Sequence, residues 1–418
     1  MKKLGLAVIW ILLGASWAKA QDRPNILWLT YEDTSPQFLG SYGNTAAKTP
    51  FMDSLAKVGS RFTQVFSTGS VCSPSRTALI TGMKTYTLGT GNHRSNYPIP
   101  EFVKGFPYYL KQAGYYCTNN AKTDYNVAET KAFIAEAWHE SSNKAGWWNR
   151  EEGQPFFAVF NFMSSHQSRT MTNSYEEYEQ MVLSKLPKEL QTSADEVLLP
   201  EFYKDSPAMR KHTARIYNSI SLADMEMRNL FDRLQSEGLL ENTIVFCFAD
   251  HGEGMPRAKT NGVALGHQVP FIMYVPEKYQ KEFSVTNGTV NTQLLDFCDL
   301  PPTVLDIAKV PVPEHFQGQS LFKAEHQNLF LSSDRSDESF DMTRTVIDDQ
   351  FAYTRVFRPY IQELRFLSYM DRGDITSTIR KDYAGGKLSP VESQMLEPRP
   401  VEFLYDIKND RWQTNNLA

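Results

Sequence analysis

NILWLTYED, residues 25–33, is an apolar run that ends in two acidic side chains, and it decides the fold. Residues 25–30 do not alternate between apolar and polar positions. Such continuity is typical of a strand that is covered on both faces, as in a parallel sheet. The run therefore predicts a buried strand that carries Glu32 and Asp33 at its carboxyl end.

The same arrangement of an apolar run followed by charged or metal-binding side chains recurs in residues 156–163, 243–248 and 114–118. The side chains that follow these three runs are, in the same order, His166, Asp250 with His251, and Lys122. In open parallel sheets, functional sites form at the carboxyl ends of the strands. The sequence therefore predicts one site at one edge of one sheet.

Helical patterns lie between the predicted strands, in residues 49–59, 106–113 and 208–238. In the third of these, apolar side chains recur at the spacing of one helix face. Alternating strands and helices predict an α/β fold, with a mainly parallel sheet flanked by helices.

The pattern changes after about residue 321. Residues 343–355 and 361–369 resemble strands separated by polar turns, with few helical signals. We therefore predict a main α/β domain over residues 21–321 and a small α+β subdomain over residues 322–418, with an antiparallel sheet.

Residues 1–20 have the features of a secretory signal peptide. Lys2 and Lys3 precede a short apolar core, and Ala18 and Ala20 form an A-x-A cleavage site. The sequence therefore predicts export, with a periplasmic or secreted product cleaved near Ala20. No later run of eighteen apolar residues is present, which predicts that the mature protein has no membrane anchor.

Composition excludes one class of partner. The 418 residues carry a formal net charge of −5 and contain no concentrated block of Lys and Arg, which argues against nucleic-acid binding. Four cysteines are present, without CxxC or zinc-ligand spacing. Cys117, Cys247 and Cys298 are expected to be buried free thiols, since each lies in an apolar run.

The fourth cysteine lies in VCSPSRTALITG, residues 71–82. Ser73 can cap a helix and Pro74 fits its first turn, so Cys72 is expected just before a helix N-terminus. Backbone donors and the helix dipole favour negative charge there. Arg76 is close enough in sequence to point at the same place. The pattern predicts an anion site around a modifiable sulfur, and a buried cysteine at a helix cap is the alternative.

The run Cys72-x-Pro74-x-Arg76, followed by Leu79 and Gly82, resembles the signature of type I sulfatases. That family has an alkaline-phosphatase-like fold, and its signature cysteine is oxidised to formylglycine by a maturating enzyme. The general pattern is most similar to N-sulfoglucosamine sulfohydrolase-like members. Segments 404–406 and 415–418 resemble the closing segment of sulfatases, and many relatives continue beyond it, so a truncated C-terminus is left open.

Carboxylates that converge at one sheet edge suit a hard divalent cation. The resemblance implies Ca²⁺, with ligands from Glu32, Asp33, Asp250, His251 and residue 72 as formylglycine. Sulfatases usually carry Asp where this chain has Glu32, so the resemblance leaves the coordination there open. The alternatives are a solvated strand end or a helix cap for Glu32 and Asp33, and a simple turn for Asp250 and His251.

The resemblance also implies the catalytic residues, which are Cys72, Arg76, Lys122, His166 and Lys259. In the family, two bases corresponding to Lys122 and Lys259 contact the sulfate, and Arg257 competes for the second role. A histidine in the position of His166 lies near the bridging oxygen and would protonate the leaving group. Lower-ranked candidates for substrate contact are His93, Arg94, Asp124 and His267, of which Asp124 stands where the family has a histidine.

The resemblance thus implies an exported sulfatase that hydrolyses sulfate esters or N-sulfates of a sulfated glycan, such as a glycosaminoglycan or an algal polysaccharide. A phosphodiesterase or phosphonate hydrolase is one alternative, against which the lack of a second histidine-rich metal cluster counts. A secreted glycan-binding protein with a decayed site is another, favoured by Glu32 and Asp124.

Overall fold

The structure is a computed structural model that describes residues 23–418. The predicted signal peptide lies outside the described residues. Two sheets contain strands numbered in chain order: β1 Asn25–Tyr31, β2 Ser60–Phe66, β3 Tyr116–Asn120, β4 Glu140–Ser141, β5 Phe156–Phe162, β6 Thr243–Ala249, β7 Gln268–Tyr274, β8 Val290–Asn291, β9 Leu295–Asp296, β10 Leu329–Ser333, β11 Thr343–Ile347, β12 Phe351–Val356 and β13 Glu402–Asp406.

The large sheet has the strand order β4-β3-β5-β1-β6-β7-β2-β8, and β9 also pairs with β2. Strands β4, β3, β5, β1 and β6 are all parallel, whereas β7 is antiparallel to both of its neighbours. The predicted mainly parallel sheet is therefore confirmed. The four strands predicted from apolar runs are adjacent in it, so their carboxyl ends meet at one edge.

Strand β1 is covered on both faces, as its continuous apolarity predicts. All seven of its residues are buried. The ring of Trp28 packs against the ring of Phe106 and against aromatic side chains of the strands on either side, namely Phe157, Phe246 and Phe248. This packing fixes the position of the strand whose end carries Glu32 and Asp33.

Helices cover the large sheet and extend into the C-terminal part. In chain order they are α1 Pro50–Val58, α2 Cys72–Thr81, α3 Thr85–Leu88, α4 Pro107–Gln112, α5 Thr130–Ala137, α6 Tyr175–Tyr178, α7 Pro207–Ser236, α8 Ala264–His267, α9 Glu277–Phe283, α10 Leu300–Ile307, α11 Ser368–Asp371, α12 Asp374–Ala384 and α13 Pro390–Ser393.

The longest helix, α7, begins and ends close to the predicted positions. The side chain of Ser206 accepts a hydrogen bond from the backbone N–H of Met209, and Pro207 occupies the first turn. Gly238, with a left-handed backbone (φ 69°), follows the end of the helix. Among residues 23–418, no helix is long and apolar enough to cross a membrane.

The small sheet is antiparallel, with the order β10-β11-β12-β13, as predicted for the C-terminal part. The prediction of a strand over residues 361–369 is wrong, because β13 already occupies the free edge of β12. Glu363 and Arg365 are instead buried in ion pairs, Glu363 with Arg257 and Arg365 with Asp341.

The prediction of few helices in the C-terminal part is also wrong, since α12 buries Ile375 and Ile379 on one face. The boundary between residues 321 and 322 stays a prediction.

Candidate active site

Three acidic side chains and one imidazole lie directly after the carboxyl ends of two neighbouring strands. Glu32 and Asp33 follow β1, while Asp250 and His251 follow β6, which pairs with β1 in parallel. All four are at most 1% exposed. The backbone of Asp33 is left-handed (φ 47°), a conformation that Asp tolerates better than most residues, and its N–H donates to Oδ1 of Asp250 at 2.9 Å. The turn after β1 therefore brings the carboxylates into one cluster.

Cys72 is the first residue of α2, and Val71, with extended backbone angles, occupies the capping position. The prediction that Ser73 caps this helix is wrong, because the helix begins earlier than expected. The hydroxyl of Ser73 instead accepts a hydrogen bond from the N–H of Arg94 at 2.9 Å. Pro74 still lies in the first turn, where N–H groups have no partner within the helix.

The sulfur of Cys72 lies at the centre of the cluster and is only 2% exposed. It is 3.2 Å from Nε2 of His251 and 3.7 Å from Oδ1 of Asp33. Nζ of Lys122, from the loop after β3, lies 3.4 Å away on another side. Groups from three strand ends and one helix terminus thus surround residue 72.

Arg76 lies one turn along α2 and joins the ends of the strands. Its Nε donates to Oδ2 of Asp250 at 3.0 Å, and one amino group pairs with Glu32. Another amino group donates to Oδ1 of Asn161 at 2.8 Å. Arg76 is 5% exposed and does not line the cavity described below. The structure therefore places it as a residue that positions the carboxylates.

Glu32 is fully buried between two cations. One carboxylate oxygen pairs with Arg76 and the other with Lys122. Burial raises the pKa of the carboxyl, an effect that Arg76 opposes. The additional methylene of Glu, compared with Asp, places the carboxylate within reach of both cations.

The cluster fits a bound cation. Oxygen, nitrogen and sulfur atoms of Asp33, Asp250, His251 and Cys72 all lie within 4.8 Å of one another, and a second such group contains Glu32, Asp33, Cys72 and His166. Nδ1 of His251 lies 2.8 Å from the carbonyl of Gly252, a bond that requires the ring proton on Nδ1.

Nε2 of His251 then faces Oδ1 of Asp33 at 2.9 Å and Oδ1 of Asp250 at 3.8 Å. Either a second ring proton or a metal ion must separate these lone pairs. Burial alone would lower the pKa of His251, but Asp250, residue 72 and Asp33 together raise it well above its usual range. The donor set therefore demands positive charge at this point.

Lys259 approaches the cluster from the loop after β6. Its Nζ lies 2.7 Å from Oδ2 of Asp33, which also accepts the N–H of Gln167 at 2.8 Å. Burial would lower the pKa of Lys259, but Asp33 raises it, so the amino group stays charged. Arg257, the competing candidate, points away from the cluster, toward Glu363.

His166 lies beyond β5, with Nε2 3.9 Å from Oδ2 of Asp33. The backbone N–H of Ser168 donates to Nδ1 at 3.2 Å, so Nδ1 is an acceptor and the proton of the neutral ring is on Nε2. Burial lowers the pKa of His166 to about 3. The ring is therefore neutral at neutral pH and offers a hydrogen-bond donor at Nε2.

A cavity of about 480 Å³ opens onto these groups. Cys72, His166 and Lys259 line its inner part. Its outer wall comes from loops around β10 and α11, through residues 335–338 and 367–370. The C-terminal part of the chain therefore completes the wall of a cavity that begins at the large sheet.

Of the four lower-ranked substrate candidates, His93 and Arg94 line the cavity. Asp124 forms a bidentate ion pair with Arg94, with Nε–Oδ1 and Nη2–Oδ2 distances of 3.1 Å. His267 is fully buried, with Nδ1 2.8 Å from the carbonyl of Ser67, and does not line the cavity. The structure therefore gives His267 no access to a substrate there.

Several residues at the site were not predicted from the sequence. Glu253 is fully buried beside Asp33, and burial together with that carboxylate raises its pKa. Its position two residues after His251 was the available signal. The outer wall of the cavity is lined by Arg335, Asp337, Glu338 and Tyr369. These loop residues are far from the motifs in the chain, and no sequence pattern around them predicts a place in the cavity wall.

Comparisons with known proteins agree with this geometry. The sulfatase family model matches residues 24–310. An ulvan-active sulfatase from Formosa agariphila is 33% identical, over 97% of this chain and 73% of that protein. N-sulphoglucosamine sulphohydrolase from Homo sapiens is 26% identical, over 75% and 68%. A solved structure of a 2-O GAG sulfatase has a TM-score of 0.66 at 18% identity, covering 95% of this chain and 88% of that one, which shows a shared fold.

Proposed function

The chain belongs to the sulfatase family of sulfuric ester hydrolases, and we propose that it removes sulfate from a sulfated glycan by means of a formylglycine at position 72 and a calcium ion. One observation carries this proposal. The sulfur of Cys72 lies within 3.7 Å of Lys122, His251 and Asp33, at the inner end of a cavity. A buried thiol without a chemical role has no need of these groups.

The chain supplies positive charge where the sulfuryl oxygens of a substrate would lie. Lys122 and Lys259 approach residue 72 from the loops after β3 and β6. Preorganised charges in a water-poor site stabilise the charge that develops in a transition state. Asp33, Asp250, His251 and Glu32 would hold the cation, which would supply Lewis-acid chemistry to the site.

A formylglycine hydrate, when formed, supplies a hydroxyl nucleophile that an unmodified cysteine lacks. His166 then faces the leaving oxygen. Because its pKa is about 3, the neutral ring would stabilise negative charge on that oxygen by donating a hydrogen bond from Nε2. Arg76 keeps Asp250 and Glu32 in place through buried ion pairs.

The relatives support a glycan substrate. Their names specify ulvan and N-sulphoglucosamine as the compounds they act on. The open outer wall of the cavity includes Tyr369, whose ring can stack on a sugar. O-sulfate and N-sulfate are both compatible with the arrangement around residue 72.

A sulfate-release assay tests this function. The mature protein, co-expressed with a maturating enzyme, is incubated with a panel of sulfated oligosaccharides, an aryl sulfate and an aryl phosphate, and released sulfate or phosphate is measured. We expect sulfate release from at least one oligosaccharide. Faster hydrolysis of the phosphate would favour a phosphodiesterase or phosphonate hydrolase, and glycan binding without release would favour a binding protein.

Peptide mass spectrometry tests the modification in the same preparation. We expect the peptide that contains residue 72 to carry formylglycine, and full activity with unmodified cysteine would overturn the proposal. We also propose that the chain is exported and cleaved near Ala20. N-terminal sequencing of the periplasmic and secreted fractions should then yield a chain that begins at Gln21.

A further inference from the structure

Two arginines lie over aromatic rings, one at the outer wall of the cavity and one beside it. The guanidinium carbon of Arg372 is 4.9 Å from the ring centre of Tyr369, and that of Arg358 is 5.8 Å from the ring centre of Phe340. Both distances fall within the reach of a cation–π interaction, about 6 Å. Each pair therefore combines an apolar ring face with a positive charge.

Tyr369 and Arg372 form the inner pair. Tyr369 lines the cavity, and its ring centre lies 6.4 Å from the ring centre of His166. Under the proposed function His166 faces the leaving oxygen of the substrate. The sugar that carries the sulfate would therefore meet the inner pair first.

Phe340 and Arg358 form the outer pair, which lies beyond the cavity wall. Phe340 is two residues after Glu338, a wall residue whose carboxylate accepts the N–H of Ser368 at 2.6 Å. Ser368 is the first residue of α11, which also contains Tyr369. This bond connects the loop of the outer pair to the helix of the inner pair, so the two pairs follow one another outward from the site.

The surroundings of the outer pair leave large aromatic side chains in contact with solvent. Phe340 is 59% exposed, and three aromatic residues of neighbouring segments are at least 51% exposed, namely Phe357, Tyr360 and Phe366. The N–H of Phe357 donates to the carbonyl of Met342 at 3.0 Å, which places it beside the loop of Phe340. Exposed apolar side chains that cluster in this way mark an interaction surface or a ligand groove.

The charge of this surface indicates an anionic partner. Among residues 23–418, neither Arg358 nor Arg372 forms an ion pair with a carboxylate. The nearby carboxylates already have other partners: Asp337 pairs with His93, Asp341 with Arg399, and Asp371 with Arg380. In the described part of the chain, two positive charges beside aromatic rings are thus left without an anion.

We propose that the inner and outer pairs bind successive parts of one polyanionic glycan chain. Sugar rings would lie against Tyr369 and Phe340, and sulfate or carboxylate groups against Arg372 and Arg358. The inference rests on the proposed sulfatase function and specifies its substrate as an extended glycan with several anionic groups.

The chemistry of such a glycan fits both parts of each pair. A sugar ring has apolar C–H groups on its faces and hydroxyls around its edge, so an exposed aromatic ring covers the face while the edge stays in water. Arginine binds sulfate and carboxylate through charge-assisted hydrogen bonds. A second copy of this chain fits less well, because in a two-fold symmetric contact the same positive surface would face itself.

Affinity measurements test the surface without turnover. The Cys72→Ala protein is titrated with ulvan, heparin and chondroitin sulfate, and with the desulfated form of each, and Kd is measured by calorimetry. We expect at least one sulfated form to bind, more tightly than its desulfated form. Phe340→Ala and Arg358→Ala, added to Cys72→Ala, should each weaken this binding about two- to tenfold.

Two matched variants control for the loss of an exposed ring or an exposed charge. Phe102 is 61% exposed and does not line the cavity, and Arg228 is exposed on α7. Phe102→Ala and Arg228→Ala should keep the Kd of the parent protein. No binding of any sulfated form, or a parent Kd in both Phe340→Ala and Arg358→Ala, would overturn the proposal.

Steady-state kinetics test the order of the two pairs. The matured protein is compared on a sulfated disaccharide and on the polysaccharide from which it derives. Arg372→Ala should raise KM for both substrates, whereas Arg358→Ala should raise it mainly for the polysaccharide. An equal rise for both substrates in Arg358→Ala would contradict the outward order of the pairs.

The outcomes separate this inference from the function on which it rests. If the wild-type protein releases no sulfate from any substrate, the proposed function fails, and the Kd values still decide whether the surface binds a polyanionic glycan. If sulfate is released while Phe340→Ala and Arg358→Ala keep the parent Kd, the function stands and the inference fails. A dimer in sedimentation that Phe340→Ala abolishes would assign the surface to a second copy, against the proposal.

Discussion

The sulfur of Cys72 lies 3.2 Å from Nε2 of His251, although 179 positions separate the two residues in the chain. One stands in the first turn of α2 and the other follows β6. The N-terminus of a helix favours negative charge, and carboxylates at the strand ends favour a cation. Under the proposed function, an anionic ester is held where they meet, next to residue 72.

Removal of the sulfur should therefore abolish turnover without loss of the fold. We expect Cys72→Ala to release no sulfate from any substrate that the wild type accepts, since position 72 then lacks a nucleophile. Thermal unfolding should show a shift of only a few degrees. Cys247→Ala is the control, because this thiol is equally buried within β6 yet lies away from the cavity. Sulfate release by Cys72→Ala would contradict the assignment.

A divalent cation should stabilise the protein through the same cluster. A ligand that binds only the folded state adds about 2.7 kcal/mol at one hundred times its Kd. We expect Ca²⁺ to raise Tm of chelator-treated wild type and to restore its activity. In Asp250→Asn the shift should be much smaller, because one of the converging carboxylates is lost. An equal shift in wild type and variant would place the cation elsewhere.

The carboxyl of Asp224, which does not line the cavity, should contribute to the stability of the fold. It accepts the N–H groups of Phe51 and Met52 at the start of α1, both at 2.9 Å, and the hydroxyl of Tyr31 at 3.0 Å. Asp224→Ala leaves these donors unpaired, so we expect the free energy of unfolding to fall by about 2–3 kcal/mol. Urea unfolding measures this change. Asp232 lies at an exposed position of α7, the helix that also contains Asp224. Asp232→Ala should therefore change the free energy of unfolding by less than about 0.5 kcal/mol.

Burial raises the pKa of Asp224 to about 7, from an ordinary value of 3.8. Between these two values the folded state binds more protons than the unfolded state. The contribution of this group to stability therefore falls as pH rises from about 4 to about 7. Asp224→Asn cannot titrate, so its unfolding free energy should lack this part of the pH slope. Identical slopes in the two proteins would contradict the raised pKa.

The apolar runs predicted the centre of the fold because their physical cause is local. The strand at residues 25–31 is buried on both faces, and a strand buried in this way is made of consecutive apolar residues, which the sequence shows directly. Asp33 and Asp250 could be placed together from strand direction alone, since parallel strands share an edge. The meeting of these two carboxylates thus follows from the pattern.

The outer wall of the cavity could not be predicted, because its causes are not local. Asp337 becomes a partner of His93 only through the packing of the small sheet on the large one. Residues 361–369 have strand-like composition, yet β13 takes the pairing edge and Arg365 is drawn into buried ion pairs. The helix α2 begins at Cys72, earlier than predicted, because Val71 rather than a later residue has the extended backbone of a capping position.

Arg365 should position Lys259 without contacting the substrate. Its guanidinium donates to the carbonyl of Thr260 at 2.8 Å and to Oδ1 of Asn261 at 3.3 Å. Thr260 has a left-handed backbone (φ 71°), which is costly for a β-branched residue and persists only with support from its surroundings.

In Arg365→Met we therefore expect the loop to relax and Lys259 to lose its place beside Asp33. A misplacement of about 1 Å in a site can lower kcat about 10²-fold. Sulfate-release kinetics measure the loss, and intact mass should show normal formylglycine content. Arg355→Met removes an arginine whose ion pair with Glu402 is exposed, and it should keep wild-type kcat. Equal kcat in both variants would show that the loop holds Lys259 without Arg365.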